Sequence, residues 1–195
     1  MPAIRSKKLD SIWGKKNLEF RCTGCGNCCT ETIVPITHED LKRLEAGTGL
    51  SAEELVDFHK PDDFEDGGEG LHVVELNVGK RIMGLRKRTD RKTKKSACQF
   101  LRDNRCTVYA HRPVTCRLWP FTLGFWDDGE IRSLTINRSV DCEYALDGQV
   151  DLDKVKRDWD RDDRQDLRWR RKVEHWNKQI APGTRRQFLD YLARS

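Results

Sequence analysis

The sequence predicts an α+β fold, with short antiparallel strands and helices in a small irregular domain and a helical extension at the C-terminus. Short runs of β-branched and aromatic residues, bounded by glycine, proline, asparagine or aspartate, predict the strands. Beyond residue 152, apolar residues recur at spacings of three and four, which is typical of a helix. Eight cysteines among 195 residues indicate that the domain is centred on a metal.

The first predicted elements are an edge strand and a capped helix. Residues 31–36 form a β-rich run whose proline favours a strand edge or a strand end. Thr37, with Asp40 three residues later, forms a capping box that predicts the start of a helix. Gly47 predicts the end of that helix. The residues expected to face inward are Leu41 and Leu44.

A second capping box and a hairpin follow. Ser51 and Glu54 predict the start of another helix. Its apolar residues are Leu55 and Phe58. Residues 71–78 and 81–86 predict two strands that pair across a tight turn containing a glycine.

The last predicted elements are a second hairpin and the helical extension. Residues 122–126 and 131–136 flank an Asp-Asp-Gly turn, which is a strong hairpin signal. Residues 152–180 predict a helix, although the wholly polar stretch 160–166 favours a break within it. The apolar face of this helix consists of Val155, Trp159, Trp169, Val173, Trp176 and Ile180. A final helix after Gly183 presents Phe188, Leu189 and Leu192.

These elements divide the chain into three parts. Residues 1–19 form a basic N-terminal arm, residues 20–146 a cysteine-cluster metal-binding domain, and residues 147–195 a Trp-rich helical extension. We expect the tryptophans of the extension to pack on the cysteine-cluster domain. The alternative is that they present an apolar face to a binding partner.

Composition excludes several classes of protein and predicts a cytoplasmic location. A mean hydropathy of −0.79 and the lack of a long apolar run argue against a membrane protein, and the N-terminal stretch lacks the apolar region of a secretory signal. In the reducing cytosol, eight cysteines favour metal over disulfides. The net charge of +5 is modest, and the basic run at residues 80–95 has no interleaved aromatic residues, so a nucleic-acid partner is not expected.

The most informative stretch is Cys22-Thr-Gly-Cys25-Gly-Asn-Cys28-Cys29. A cysteine at every third residue lets successive thiolates turn inward around a metal, and the glycines allow tight turns. The spacing resembles the one that wraps a 4Fe–4S cluster in ferredoxins, yet a zinc knuckle begins in the same way. Neighbouring side chains of an extended segment point to opposite sides, so we expect Cys28 and Cys29 to face different sites, or Cys29 to be a free or buried thiol.

A second group of cysteines follows at Cys98, Cys106 and Cys116. The whole pattern reads CxxCxxCC, then C-x-F-L, then C-x-x-Y-x-x-R-P-x-x-C-R-x-x-P-F. The residues that complete it are Tyr109, Arg112, Pro113, Arg117, Pro120 and Phe121. Over about residues 20–142 the chain resembles the CxxCxxCC family of zinc- or iron-chelating domains, and more distantly the flagellin lysine N-methylases.

The resemblance implies a set of metal ligands. They would be Cys22, Cys25, Cys28, Cys29, Cys98, Cys106 and Cys116, with Cys142 as an eighth, although the glycine pair expected after it is absent. We favour an iron–sulfur cluster, of the 4Fe–4S type, because of the ferredoxin-like spacing. The protein would then carry a redox centre, as an iron–sulfur oxidoreductase does.

Two alternatives stay open at this point. One is a domain in which zinc stabilises the fold and a protein partner binds elsewhere. The other, by analogy with the flagellin-directed relatives, is a protein methyltransferase. A protein or small-molecule partner is expected in each case, and no catalytic residue is identifiable from the sequence.

Two arginines flank Cys116 and are candidates for binding a cofactor or an anionic ligand. We expect Arg112, whose backbone is restricted by the following proline, to balance thiolate charge. We expect Arg117 to bind an anionic substrate or a cofactor carboxylate with its planar fork of donors. The two groups of cysteines are predicted to meet in space, so metal binding should be coupled to folding.

Overall fold

The computed structural model describes residues 17–30, 32–89, 95–125, 131–136, 143–145 and 147–194. Within these ranges the predicted α+β class is confirmed, since short antiparallel strand pairs accompany helices and a long C-terminal helix. No helix in the same ranges is long and apolar enough to cross a membrane.

The N-terminal elements lead from the first cysteines to two capped helices. They are β1 (Asn17–Leu18), β2 (Arg21–Cys22), α1 (Asn27–Thr30), α2 (His38–Thr48) and α3 (Ala52–Leu55). The capping box of Thr37 and Asp40 begins α2 as predicted, and its two inward leucines are buried. The helix ends at Gly49 and not at Gly47, because Gly49 adopts the left-handed conformation, with φ of 71°, that closes the last turn.

A three-stranded sheet follows, in which the middle strand is the longest. Its strands are β3 (Val56–His59), β4 (Val74–Leu76) and β5 (Gly79–Leu85). A separate pair follows, formed by β6 (Lys87–Thr89) and β7 (Ser96–Cys98). The central β5 pairs with β3 and β4, which confirms the hairpin predicted from β4 to β5. The predicted edge strand at residues 31–36 contributes a single bridge to this sheet, between Pro35 and Gly84.

Phe58 lies in a strand, so the prediction that a helix carries it is wrong. The capping box of Ser51 and Glu54 starts α3 as predicted, but the helix ends after Leu55. The chain then enters β3, where Phe58 is opposite Met83 of the buried central strand. Pairing with a buried strand here outweighs the local helix-start signal.

The middle of the chain consists of hairpins on either side of a short helix. Its elements are β8 (Leu101–Arg102), β9 (Arg105–Cys106), α4 (Val114–Leu118), β10 (Phe121–Phe125) and β11 (Ile131–Ile136). The pairing of β10 with β11 confirms the predicted second hairpin, whose Asp-Asp-Gly turn at residues 127–129 lies outside the described residues. Two short strands then pair back with the N-terminal strands: β12 (Tyr144–Ala145) with β2, and β13 (Val150–Asp151) with β1.

The C-terminal extension consists of two helices. They are α5 (Leu152–Gln179) and α6 (Arg185–Ala193). The predicted break at residues 160–166 is wrong, because α5 continues through this stretch and buries Gln165, whose Nε2 donates to Thr37 Oγ1 at 3.0 Å. Ile180 lies beyond the end of α5 and is 45% exposed, so it does not belong to the buried face. The predicted apolar face of α6 is buried.

The extension is part of the main hydrophobic core. Buried residues of α2, the three-stranded sheet, α5 and α6 form one cluster. Trp176 is 1% exposed and meets Phe188 edge to face, with ring centroids 5.0 Å apart. Trp169 contacts the same phenyl ring. The expectation that these tryptophans pack on the rest of the chain is therefore confirmed.

Candidate metal centre

The first cysteines lie on a loop whose shape depends on two glycines. Gly24 and Gly26 have φ values of 74° and 79°, in the left-handed region that favours glycine. The N–H of Cys29 then donates to the carbonyl oxygen of Gly26 at 2.9 Å and closes the helical turn α1. This turn carries Cys28 and Cys29, both partly buried.

The hairpin of β8 and β9 packs against this loop and carries Cys106. Asp103 and Asn104 form its two-residue turn, and their φ values of 46° and 57° are typical of a type I′ turn. A Cβ atom on Gly26 would lie 3.3 Å from Asn104 Oδ1, so the glycine leaves room for this close approach. The fit between loop and turn places the hairpin that carries Cys106 against the loop of the first cysteines.

Strand β7 brings Cys98 to the same place. α1 packs against β7, and Cys98 is buried at the end of that strand. Across the β6–β7 ladder Cys98 is paired with Lys87, whose Nζ donates to the carbonyl oxygen of Thr30 at 2.7 Å. The backbone N–H of Phe100 donates a hydrogen bond to the Cys98 sulfur.

The short helix α4 carries Cys116 and rests on α2. The N–H of Val114 donates to Asp40 Oδ1 at 3.0 Å. The ring of His111 lies against Gly47, where a Cβ atom would be 2.2 Å from the ring Cγ. This contact explains the glycine within α2, and it means that α2 supports the chain on both sides of the Arg-Pro pair.

Each of five thiols interacts electrostatically with at least two of the others, and together they form one group. They are Cys28, Cys29, Cys98, Cys106 and Cys116. Burial raises the pKa of Cys98 and of Cys116, and neighbouring thiols raise each further. The pKa of Cys29 is raised first by its hydrogen bond with Cys28 and next by burial. The thiol group is thus an environment in which a bound cation is needed to keep several sulfurs ionised together.

Cys28 and Cys29 point into the same group of thiols. Their sulfur atoms are 4.0 Å apart, and Cys29 also interacts with Cys98 and Cys116. The expectation that the two face opposite sides is wrong because α1 is helical. Successive side chains of a helix are about 100° apart, whereas those of an extended strand point to opposite faces.

The two remaining described cysteines lie on the segment that leads into α1. Cys22 is exposed on β2, which pairs with β12, and Cys25 is partly buried in the glycine loop. None of the seven cysteines that the structure describes forms a disulfide. Cys142 lies outside the described residues. Thr23 Oγ1 donates to the carbonyl oxygen of Glu143 at 2.8 Å, which ties the first motif to the chain that follows Cys142.

Comparison with known proteins identifies the family. The model of the CxxCxxCC family, described as "Putative zinc- or iron-chelating domain", matches residues 21–143. The matched region contains all eight cysteines. The chain belongs to this family. No curated protein and no solved structure matches it. Helices α5 and α6 lie outside the matched CxxCxxCC region.

The donor set of this CxxCxxCC domain suits the metals in the family description. Thiolate sulfur is a ligand of zinc and of iron–sulfur clusters, and five grouped thiols exceed the four that either centre uses. Among the residues that the structure describes, no three His, Cys, Asp or Glu side chains stand close enough to bind one ion together. A single ion bound here would have to draw the sulfur atoms closer together. Family and donor set together assign a metal-binding function.

The two flanking arginines have different surroundings. Arg112 lies near the thiols, and its charge opposes the rise in the pKa of Cys116. Its guanidinium also lies over the ring of Tyr109, 3.9 Å from the centroid. Arg117 donates from Nε to the carbonyl oxygen of Arg112 at 3.2 Å and from Nη2 to that of Ala110 at 2.7 Å. The expected binding of a cofactor or anion by either arginine stays a prediction.

Lys87 is a site residue that sequence reasoning missed. It belongs to the basic run at residues 80–95, in which the sequence indicates no site residue. Burial lowers the pKa of its ammonium group, while Cys98 and Cys29 act in the opposite direction. Its position beside the thiols depends on the register of β6 with β7, and the sequence contains no separate signal for that register.

Proposed function

We propose that the chain holds an iron–sulfur cluster, of the 4Fe–4S type, on thiolates of its grouped cysteines. The observation that carries this proposal is the electrostatic interaction among five thiols that come from α1, β7, β9 and α4. Four cysteine thiolates hold such a cluster, and the five grouped thiols are enough to supply them. Bound there, the cluster would supply electron-transfer or redox chemistry.

The surroundings of the thiols support the same proposal. Lys87 and Arg112 are cations beside the thiols, and the N–H of Phe100 donates to a cysteine sulfur. Charge and hydrogen bonds to sulfur set the reduction potential of iron–sulfur clusters. A reducing compartment, the cytoplasm, would keep these thiols available for metal.

A structural zinc site is the second candidate, and one distance favours it. Sulfur ligands of tetrahedral zinc, with Zn–S bonds of about 2.3 Å, are about 3.8 Å apart. The sulfur atoms of Cys28 and Cys29 are 4.0 Å apart, close to that edge length. Zinc in this place would stabilise the fold, and a protein partner would bind elsewhere. Methyl transfer, the third alternative, stays a prediction from resemblance.

Metal analysis of the full chain distinguishes the two candidates. The chain is purified without oxygen, and iron, acid-labile sulfide and zinc are measured per chain together with visible absorption. We expect iron and sulfide in equal amounts and a visible absorption band. A colourless protein with stoichiometric zinc would replace the cluster with zinc, and a chain free of both would contradict the metal centre.

A pair of variants tests whether the grouped thiols are the ligands. Cys116→Ser is expected to lose metal because it removes a partly buried thiol of the group. The neighbouring Thr115→Ser, at an exposed position, serves as the matched control and should keep it. Equal metal content in both variants would exclude Cys116 from the ligand set.

A further inference from the structure

Asp40 does more than cap its helix. In a capping box the third residue accepts a hydrogen bond from the backbone N–H of the cap, and Asp40 Oδ2 does this for Thr37 at 3.1 Å. The other oxygen, Oδ1, accepts from the N–H of Val114, from Arg43 Nη2 and, at 3.5 Å, from Gln165 Nε2. Asp40 is 2% exposed, so its carboxylate depends on these donors and on the hydroxyl of Thr37 for hydrogen bonds.

We propose that Asp40 is a positioning residue of the metal centre and that Gln165 of the C-terminal extension supports it there. This inference rests on the proposed metal-binding function. Three elements meet at the carboxylate: α2 supplies it, α4 docks on it through Val114, and α5 donates to it through Gln165. The family match ends at residue 143, so α5 would act on the centre from outside the matched domain.

Asp40 is connected to the thiols through the first turn of α4. Val114 is the first residue of α4, and Cys116 is two residues further on in the same helix. The hydrogen bond from Val114 to Asp40 therefore holds the end of the helix that presents Cys116. Buried hydrogen bonds to a carboxylate are strong, and residues that hold a ligand in place affect metal affinity almost as the ligands do.

Proline at position 114 tests this bond selectively. Val114→Pro removes the N–H that donates to Asp40, and it also changes a buried side chain. Proline is tolerated at the first position of a helix, and the cap of α2 is unchanged. Val114→Ala keeps the N–H and reports the loss of side-chain packing alone. The full chain is stripped of metal under reducing conditions, and Zn²⁺ alone is titrated against a chromophoric chelator.

We expect Val114→Pro to bind Zn²⁺ about 10-fold more weakly than Val114→Ala. A second pair repeats the test from the other side. Asp40→Asn should weaken Zn²⁺ binding, whereas Glu39→Gln, at the neighbouring residue that pairs with Arg168 of α5, should leave it unchanged. Gln165→Met should give a smaller loss than Asp40→Asn. Thermal unfolding of each metal-free variant separates an effect on stability from an effect on affinity.

Several outcomes overturn the inference. Equal Zn²⁺ affinity in Val114→Pro and Val114→Ala, with lower stability only, would assign Asp40 to the fold alone. Loss of the folded state in both Val114→Pro and Asp40→Asn would have the same meaning. An unaltered chain that binds no Zn²⁺ would instead remove the proposed metal-binding function on which the inference rests.

Discussion

Lys87 and Arg112 place positive charge where several thiolates have to coexist. Thiolates in one buried group repel one another, and burial already raises the pKa of Cys98 and Cys116. The ammonium group of Lys87 is held beside α1 by its hydrogen bond to Thr30, so it is in place before any metal arrives. These side chains lower the cost of forming thiolates without being ligands themselves.

Replacing Lys87 should therefore weaken metal binding. Lys87→Gln removes the charge and is expected to lower Zn²⁺ affinity about 10-fold, a typical effect for a group next to a ligand. Lys87→Arg keeps the charge and should stay close to the unaltered chain. Lys80→Gln, at an exposed lysine of the same basic run on β5, is the matched control. The prediction fails if Lys87→Gln and Lys80→Gln bind Zn²⁺ equally well.

At the level of single residues, the sequence predicts which cysteines come together, but it does not predict which way each side chain points. The three-residue spacing and the glycines are local features, and the structure brings Cys28 together with Cys98, Cys106 and Cys116 as predicted. The predicted orientation of Cys29 is wrong because residues 27–30 form one helical turn, whereas the prediction assumes an extended segment. Lys87 was missed because its contact with the thiols arises from strand register.

Helix α5 shows at the scale of an element how a polar stretch stays helical. Gln165 is 1% exposed and bonds to Thr37, and Asp158 is also buried. Arg168 of α5 also forms an ion pair with Glu39 of α2. Partners on α2 thus replace the apolar residues that a periodicity argument requires. Such partners are tertiary, so the unbroken helix was not predictable from residues 160–166.

Some of the other elements are determined by residues close in sequence, and others by contacts between distant parts of the chain. Capping boxes at Thr37 and Ser51 and the turn between β4 and β5 involve residues close in sequence, and each was predicted correctly. Phe58 was assigned to a helix because the start signal was local, whereas its strand partner Met83 lies far along the chain. Gly47 of α2 leaves room for the ring of His111 and does not mark the end of the helix.

The pH dependence of stability provides a test of the α5 contact. Burial raises the pKa of Asp162 from 3.8 to about 6, and neighbouring carboxylates, Asp40 first among them, add to the rise. The folded state therefore favours the protonated acid, so this contribution to stability is present below about pH 4 and is lost as the pH rises through 6. Ionisation at neutral pH costs on the order of 2 kcal/mol.

Asp162→Asn should remove that cost. At pH 7 the variant is expected to unfold about 5 °C above the unaltered chain, and the difference should vanish near pH 4. Thermal unfolding followed by circular dichroism across this pH range measures both. Asp163→Asn, at the exposed neighbouring position, is the control. A Tm difference that is independent of pH would mean that the ionisation of Asp162 does not destabilise the folded state.

At the scale of the whole molecule, the thiols lie at the margin of a core that is large without them. The main cluster joins α2, the sheet and both C-terminal helices, and of the grouped thiols it includes Cys98 and contacts Cys29. Small metal-dependent domains lack such a core and unfold when the metal leaves. This chain differs because the aromatic contacts among Trp169, Trp176 and Phe188 lie in the extension.

Removing the metal should therefore weaken the fold without abolishing it. Binding to the folded state alone adds about 4 kcal/mol when free metal is a thousand times the Kd, which corresponds to about 10 °C in Tm for a chain of this size. A chelator under reducing conditions should lower Tm by this order while far-ultraviolet circular dichroism retains the helical signal of α5 and α6. Complete loss of the cooperative transition would show that the thiolate centre, and not the apolar core, holds the chain together. An unchanged Tm after verified metal removal would show that the folded chain gains nothing from the metal, because any ligand that binds only the folded state must raise Tm.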